Sequence, residues 1–451
     1  MVQEESGLRK VNWRELFPWL ILFRTFRLAR RVSFLLLAAA GIVVTTGGWA
    51  LLAFLMPGAS GLLGPDPNVS VAGGPWLPLD ALVPDRPTVV GLLAPLPSAV
   101  TTPPTALLDR APEPVLGTWE HLCRPMRLLI RQPVSAHTAL FYILCGIWSL
   151  AVWAFFGGAI CRVVAVALAR EEHVSWREML QFARTKWGDY FSAPLIPLMP
   201  AAFAVIGCAL VGMLFWTDTG TLIAGLLWPL VLLAGLAATV LVLGMIAGWP
   251  LMWGSVSAEN TDGFDAVSRA YSYVFQRPLN YLFYVLVAAA FGLLAWLFVA
   301  NFAALVLMIT QWSVDWGAEI GRWTAEAPAE PRNVERIILA SVPLGTGGWW
   351  GSNLLGLWRG CVKLLAVSFL YSYFWVAFTA IYLLLRRDVD ASEMDEVYLG
   401  EKEAAVTLPE IKRDQLGAPV MSEQAEAASA ASPTPPPPPP PRPPTASRGA
   451  G

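Results

Sequence analysis

Six stretches of this chain are long and apolar enough to cross a membrane, and no other feature restricts its fold so strongly. They run near Val32–Met56, Ala139–Leu168, Pro194–Trp216, Leu222–Leu251, Tyr281–Thr310 and Leu364–Leu385. A helix needs about 20 mostly apolar residues to cover a hydrocarbon core of about 30 Å. Composition agrees, since 56% of residues are hydrophobic and only 14% charged, against about a quarter charged in a soluble domain. The expected fold class is all-α: a polytopic transmembrane helix bundle of about six spans, with interfacial amphipathic helices and a disordered Pro-rich C-terminal tail. Aromatics such as Trp216, Trp249, Trp253, Tyr281 and Tyr284 gather at span ends, as side chains with an apolar body and a polar edge do at headgroup depth.

Lysine and arginine set the expected orientation, because cations near span ends are retained on the cytoplasmic side. Residues 1–31 form a basic amphipathic segment with Arg9, Lys10, Arg14, Arg24, Arg27, Arg30 and Arg31. The second-to-third connection adds Arg170, Arg177, Arg184 and Lys186, and the tail opens with Arg386 and Arg387. The third-to-fourth connection, T-D-T-G-T, has no cation. Both termini are therefore expected in the cytoplasm, with the chain in the inner membrane. The span at 32–56 reads as an uncleaved signal anchor, since its apolar core is too long for a signal peptide and no small-x-small site follows. Arg124, Arg127 and Arg131 before the second span, and Arg332, Arg336, Arg359 and Lys363 before the sixth, run against this pattern. They lie in long loops, where charge counts for less, and Arg359 and Lys363 are expected to reach outward together to the headgroups.

The extracytoplasmic segment 57–138 is dense in proline, with fifteen between Pro57 and Pro133, which excludes continuous helix. Its end changes character: Leu116, Trp119, Leu122, Met126 and Leu129 recur at near-helical spacing, the pattern of a short helix lying on the outer face and bent at Pro125. His121 and Cys123 there are two ligands without a third, too few for a metal site. In the outer loop 311–360, Trp312, Trp316, Ile320 and Trp323 form a stripe expected to be a second interfacial helix. Asp315 and Glu319 are read as its solvated face. Past Leu385, residues 386–451 turn acidic and then rich in Ala, Ser and Pro, with disorder expected from about Pro419. The five cysteines form no C-x-x-C pair and read as small buried hydrophobes.

Within the membrane region 139–385 two charged segments interrupt the apolar pattern. Ser175-Trp176-Arg177-Glu178 is a capping box, in which serine accepts from the third helical amide and glutamate reaches back to the cap's own amide. Trp176, Met179, Leu180, Ala183 and Trp187 then make one apolar stripe, so a cytoplasmic amphipathic helix is expected near 175–187. Gly188, Pro194, Pro197 and Pro200 mark a bend after it. A shift of 87 positions brings Glu259 onto Glu172, Asp262 onto Ser175, Asp265 onto Glu178, Val267 onto Leu180 and Ala270 onto Ala183. A second such helix is expected near 262–275, with Phe264, Val267, Tyr271 and Val274 as its stripe. Asp390-Ala-Ser-Glu393 is a fainter third echo. The pattern is three helical hairpins in parallel repetition, each followed by a capped cytoplasmic segment.

In these segments and in A-V-S-R-A-Y-S-Y-V-F-Q-R-P-L-N-Y (Ala266–Tyr281), the chain resembles a loose group of uncharacterised bacterial polytopic membrane proteins carrying short acid-capped helices between spans. The resemblance covers roughly residues 139–400 and implies no activity. The spans contain no Asp, Glu or His, the residues on which coupled transport usually depends. Arg162 and Asn301 are the candidate polar intramembrane residues. Arg162 is expected to snorkel to the inner headgroups, so that Arg162→Lys is nearly silent and Arg162→Leu costs little. Hydrolase, metalloprotease and nucleotide-binding motifs are absent, and no catalytic, cofactor-binding or metal-binding residue is assigned. A net charge of −2 gives no bulk attraction to nucleic acid. The expected partners are the lipid bilayer, its anionic headgroups and an unidentified membrane protein. The expected function is that of a scaffold, accessory subunit or membrane-organising protein; the alternative is a transporter or permease.

Overall fold

The computed structural model describes residues 17–56, 113–131, 135–170, 175–324 and 345–398, with the isolated positions 334 and 337. Regular structure there is helical throughout, in chain order α1 (Ile21–Ala29), α2 (Val32–Leu55), α3 (Thr118–Leu122), α4 (Arg124–Arg131), α5 (Ala136–Ala169), α6 (Trp176–Thr185), α7 (Trp187–Gly212), α8 (Asp218–Glu259), α9 (Gly263–Gln276), α10 (Pro278–Thr324) and α11 (Thr346–Asp390). Six of these, α2, α5, α7, α8, α10 and α11, are long and apolar enough to cross a membrane, and they are the six expected spans. The acidic and Pro-rich tail beyond Tyr398, most of the 57–138 loop and Glu171–Val174 lie outside the described residues.

α11 is the axis of the bundle. Its most apolar window is 89% buried, against 6% for α7, and it packs against α1, α2, α5, α8 and α10. The core is aromatic: Trp253 and Trp375 stack at 4.3 Å, Trp153 and Tyr371 at 4.9 Å, and Trp249 meets Trp375 edge-on at 5.5 Å. Offset and edge-on pairs of this kind contribute beyond their buried area. They come this close because Gly157 on α5 has no side chain, and a Cβ there would lie 2.6 Å from Trp253 and 2.8 Å from Trp375. On the outside, Phe203 and Leu210 of α7 and Leu226, Leu232 and Leu236 of α8 are exposed. A surface of that kind suits hydrocarbon, where apolar contact with lipid carries no penalty.

Several expected boundaries move outward. α8 has 42 residues and α11 has 45, so they are about 63 and 68 Å long, more than twice a hydrocarbon core. The tryptophan stripe at Trp312–Trp323 is not a separate interfacial helix; it continues α10 without a break. With no Gly-Pro stop between Tyr281 and Thr324, propagation adds one hydrogen bond per residue and the helix runs on. Lys363 does not reach out to headgroups either, being buried at 1% exposure inside α11. Pro194, Pro197 and Pro200, expected to mark a bend, do not end the helix, and α7 includes all three. Proline removes the bond to the carbonyl four residues earlier. For Pro194 that carbonyl belongs to Tyr190, and the Trp253 indole N–H donates to it at 2.9 Å. A neighbouring helix therefore re-satisfies what the proline releases, as tolerated prolines in membrane helices require.

The capped helices form as expected. Ser175 Oγ accepts from the Glu178 amide and Glu178 reaches back to the Ser175 amide, both at 3.3 Å. Asp262 accepts from the Asp265 amide at 2.9 Å. Their surroundings differ, however. α6 lies against α5, whereas α9 lies among α7, α8, α10 and α11. The buried face of α9 is Gly263, Ala266, Ala270, Tyr273 and Val274, which shares only Val274 with the expected stripe, and Phe264 is 67% exposed. Small residues win that face because they let backbones approach closely. The third echo is not a helix: α11 ends at Asp390, Ala391 takes a left-handed conformation with φ 53°, and the chain to Tyr398 is irregular. We call the end of the bundle bearing α6 and α9 the capped end.

Candidate functional site

Two polar groupings occupy the capped end, and both are built from helix ends. The last carbonyls of α8 lack intrahelical partners, as in any helix. Here Arg162 of α5 donates to the Ser257 carbonyl at 2.7 Å, the Tyr398 amide donates to Ala258 at 2.8 Å, and Lys186 donates to Asn260 at 2.9 Å. The second guanidinium nitrogen of Arg162 donates to the Tyr398 carbonyl at 2.6 Å, and the group lies 4.3 Å from the centre of the Phe182 ring. Cations at a helix C-terminus meet the negative end of its dipole, which accounts for a guanidinium only 6% exposed being held by carbonyls rather than a carboxylate. The expectation that Arg162 snorkels to headgroups is therefore corrected: it is a buried cap. It also fastens residues 391–398 as a strap across the ends of α5 and α8. Arg170 donates to the Asp395 carbonyl at 3.2 Å and Arg386 to the Glu396 carbonyl at 2.5 Å.

The second grouping centres on Glu259. Its carboxylate takes the Arg269 guanidinium at 2.5 Å and the Tyr382 hydroxyl at 2.5 Å, with Arg386 Nε at 3.2 Å. The Arg386 contact has ion-pair distance without hydrogen-bond alignment. Asp390 accepts from Tyr273, and Asp388 accepts from Tyr284 at 2.7 Å and Asn280 at 3.1 Å. Four helices, α8 to α11, are joined this way. Sequence reasoning aligned Glu259 with Glu172 and missed its role; the visible signal was Tyr382, Arg386, Asp388 and Asp390 recurring on neighbouring faces of α11 at spacings of two to four. Asn301 is elsewhere, donating to its own helix at Leu297, 2.7 Å away. The structure does not bring it to Arg162.

At the opposite end, the helix expected to lie flat on the membrane does something else. α3 and α4 are helical and break at Cys123, just before Pro125, but they enter the bundle. Val115 and Thr118 are buried, and His121 Nδ1 lies 2.7 Å from the Tyr371 hydroxyl, with its ring 5.8 Å from that of Trp49. His121 thus reaches Thr45, Thr46 and Ser149, near the midpoints of α2 and α5, where a pocket of about 10 Å³ holds its buried Nε2. That volume suits one water molecule. Irregular backbone at such depth is tolerated only inside protein, and this segment is covered by α5, α10 and α11.

Burial and, second, the nearby Arg124 charge lower the His121 pKa to about 4. The unfolded chain therefore binds a proton between pH 6.5 and about 4 that the folded one does not. The His121 contribution to stability is expected to fall by about 3 kcal/mol as pH drops through that window. Unfolding measured across pH 3.5–7.5 checks this, and His121→Asn should flatten the slope. Burial also pushes the Cys123 thiol up to about 12, so it is not a thiolate nucleophile at neutral pH. Among the described residues, no three His, Cys, Asp or Glu side chains gather closely enough to hold a metal ion.

Beside His121 opens an apolar cavity of about 400 Å³ between α4, α5, α7 and α8. Leu122, Ser149 and Trp153 line both it and the small polar pocket. Its walls include Pro125 and Met126 of α4, Ile143 and Ile147 of α5, Pro194 and Leu198 of α7, and Trp249 and Trp253 of α8. Ile143 and Ile147 are each 44% exposed, so the cavity opens sideways, toward the surface that faces lipid. Nothing in the primary pattern announced it, because its walls come from four segments far apart in sequence.

Fold and site together define an all-helical bundle of membrane-spanning type, with a polar cap at one end and a lateral apolar cavity. No protein-family model, curated protein or solved structure matches the chain.

Proposed function

We propose that the chain is a non-catalytic, multi-pass component of a bacterial inner membrane that organises lipid, serving as a scaffold or accessory subunit. The observation that carries this reading is the lateral cavity, whose walls are apolar and whose mouth faces the bilayer. The charged groups described at the capped end support it from the other side: Arg162, Glu259, Arg269 and Arg386 are all committed to holding helix ends together. If this reading holds, protein purified in mild detergent retains lipid, and Gly146→Leu releases most of it. Gly146 lines the cavity, and a Cβ there meets only Pro125 at an ordinary 3.9 Å, so a larger side chain extends into free space. Equal lipid content in the two proteins, measured by mass spectrometry of extracts, would count against it.

The same proposal places both termini in the cytoplasm. Arg170, Arg177, Arg184, Lys186, Arg386 and Arg387 flank helix ends at the capped end, while the turn Met213–Thr217 at the other end of the α7–α8 hairpin has no cation. Single cysteines at Ser70 and Pro419, in a cysteine-free background, are expected to label from opposite sides of sealed vesicles. Labelling of both from one side would end the six-span topology. Transport of an apolar substrate is the second reading, favoured by the three prolines of α7, one of them in the cavity wall. Flux of a fluorescent lipid through reconstituted vesicles, abolished by Gly146→Leu, would move the assignment there.

A further inference from the structure

We infer that the small pocket beside His121 binds one ordered water molecule, which accepts from the Nε2 hydrogen of His121 and donates to hydroxyls of α2 and α5. This goes beyond the lipid-organising reading and does not depend on it. Polar groups line the pocket from Thr45 and Thr46 of α2, His121 of α3, Ser149 of α5 and Tyr371 of α11. A neutral imidazole carries one N–H, and its place follows from the partner of the other nitrogen. His121 Nδ1 lies 2.7 Å from the Tyr371 hydroxyl. A phenol is a far stronger acid than a neutral imidazole, so Tyr371 donates and Nδ1 accepts. The ring hydrogen is then on Nε2, a buried atom with no hydrogen-bond partner among the described residues. A buried donor left unmade is costly.

The hydroxyls lining the pocket have the opposite need. Thr45 Oγ1 gives its hydrogen to the Gly41 carbonyl at 2.7 Å, Thr46 Oγ1 to Ile42 at 2.9 Å and Ser149 Oγ to Cys145 at 2.8 Å. Each oxygen keeps lone pairs for a donor, and on Ser149 one of them is taken by the Trp49 indole at 2.9 Å. A donor without an acceptor therefore shares the pocket with oxygens that have no hydrogen left to give. A cation cannot accept from Nε2–H, and a carbonyl or a halide cannot donate to the hydroxyls. Water does both, with the three hydrogen bonds usual for a buried molecule, and the pocket of about 10 Å³ has room for one. Hydrogen bonds through it tie α3 to α2 and α5. The water thereby positions Leu122, Pro125 and Met126, which α3 and α4 contribute to the wall of the lateral cavity.

The test is proton-detected solid-state NMR of the full chain, nitrogen-labelled at histidine, in phosphatidylcholine bilayers at neutral pH. His121 is identified as the signal lost in His121→Asn. Its protonated nitrogen is expected to be Nε2, and magnetisation is expected to pass from water to that hydrogen. A proton on Nδ1, or no transfer from water to Nε2–H, overturns the inference in the natural sequence, before any variant is made. Thr45→Val puts a methyl group of nearly the same size in place of the hydroxyl, so it removes an acceptor and makes that wall of the pocket apolar. Transfer from water to His121 is expected to be lost in this variant, and amide exchange in 118–126 is expected to quicken. Thr46→Ser keeps its acceptor and should leave both readings as they are in the natural sequence. Water transfer that persists in Thr45→Val overturns the site. Exchange in 118–126 that stays the same once the water signal is gone overturns its positioning role.

Discussion

Glu259→Ala is expected to destabilise the folded protein by about 3–5 kcal/mol, the usual consequence of removing one partner from a buried ion pair. The side chains of Glu259 and Arg386 are only 12% and 11% exposed, and the carboxylate also serves Arg269 and the Tyr382 hydroxyl. Alanine leaves the largely buried Arg386 guanidinium with only the longer 3.8 Å pairing to the exposed Glu396 carboxylate, and that poorly compensated charge dominates the cost. Unfolding in detergent, followed by thermal melting of the helical signal, measures it. The double replacement Glu259→Ala with Arg386→Met is expected to recover much of the loss, because it removes the stranded charge as well. A melting curve unchanged by Glu259→Ala would show that packing alone joins α8 to α11.

Arg162→Leu should cost nearly as much, about 4 kcal/mol. Leucine fills part of the volume but donates nothing, so the carbonyls of Ser257 and Tyr398 lose their charged donor, at about 1–3 kcal/mol for each buried acceptor left unmade. Relief of the guanidinium's own desolvation offsets part of that sum. Arg162→Lys keeps the charge at the end of α8 but cannot reach both acceptors in the planar way a guanidinium does, so it should fall between the two. The strap supplies a second readout. Val397 is the buried residue of the strap itself, and a cysteine placed there is expected to resist thiol reagents in the natural background and to react readily in Arg162→Leu. A Val397→Cys thiol equally protected in both would show that Arg162 does not hold the strap.

These two residues also show how far local pattern reading reaches. Arg162 was visible as a charge in an apolar run, and a general rule for such arginines sends them to the headgroups. The rule failed because it considers one helix in lipid. Here the negative end of α8 lies within reach, and two carbonyls in protein outcompete water at the interface. Glu259 was visible as well, as part of a repeat spaced by 87 positions, but the partners that define it stand 10 and 123–127 residues away. Lys363 and the helix carrying His121 repeat the lesson, since each was read as a surface feature and each is taken inside by neighbouring helices.

What the sequence determined by itself is whatever depends on neighbours within about one helical turn or on the solvent. The six apolar runs became helices because a backbone in lipid must bond to itself. Ser175 and Asp262 began helices because an oxygen side chain three residues before a free amide is a local device, indifferent to the remaining fold. Tertiary structure alone decided where helices stop, which face of α9 is buried, and that α3 and α4 dip between spans. Those outcomes turn on contacts between distant segments, such as Trp253 taking the carbonyl that Pro194 frees or Gly157 admitting two indoles. The lateral cavity belongs to the same class: it is the space left where α4, α5, α7 and α8 fail to close, and no single one of those helices encodes it.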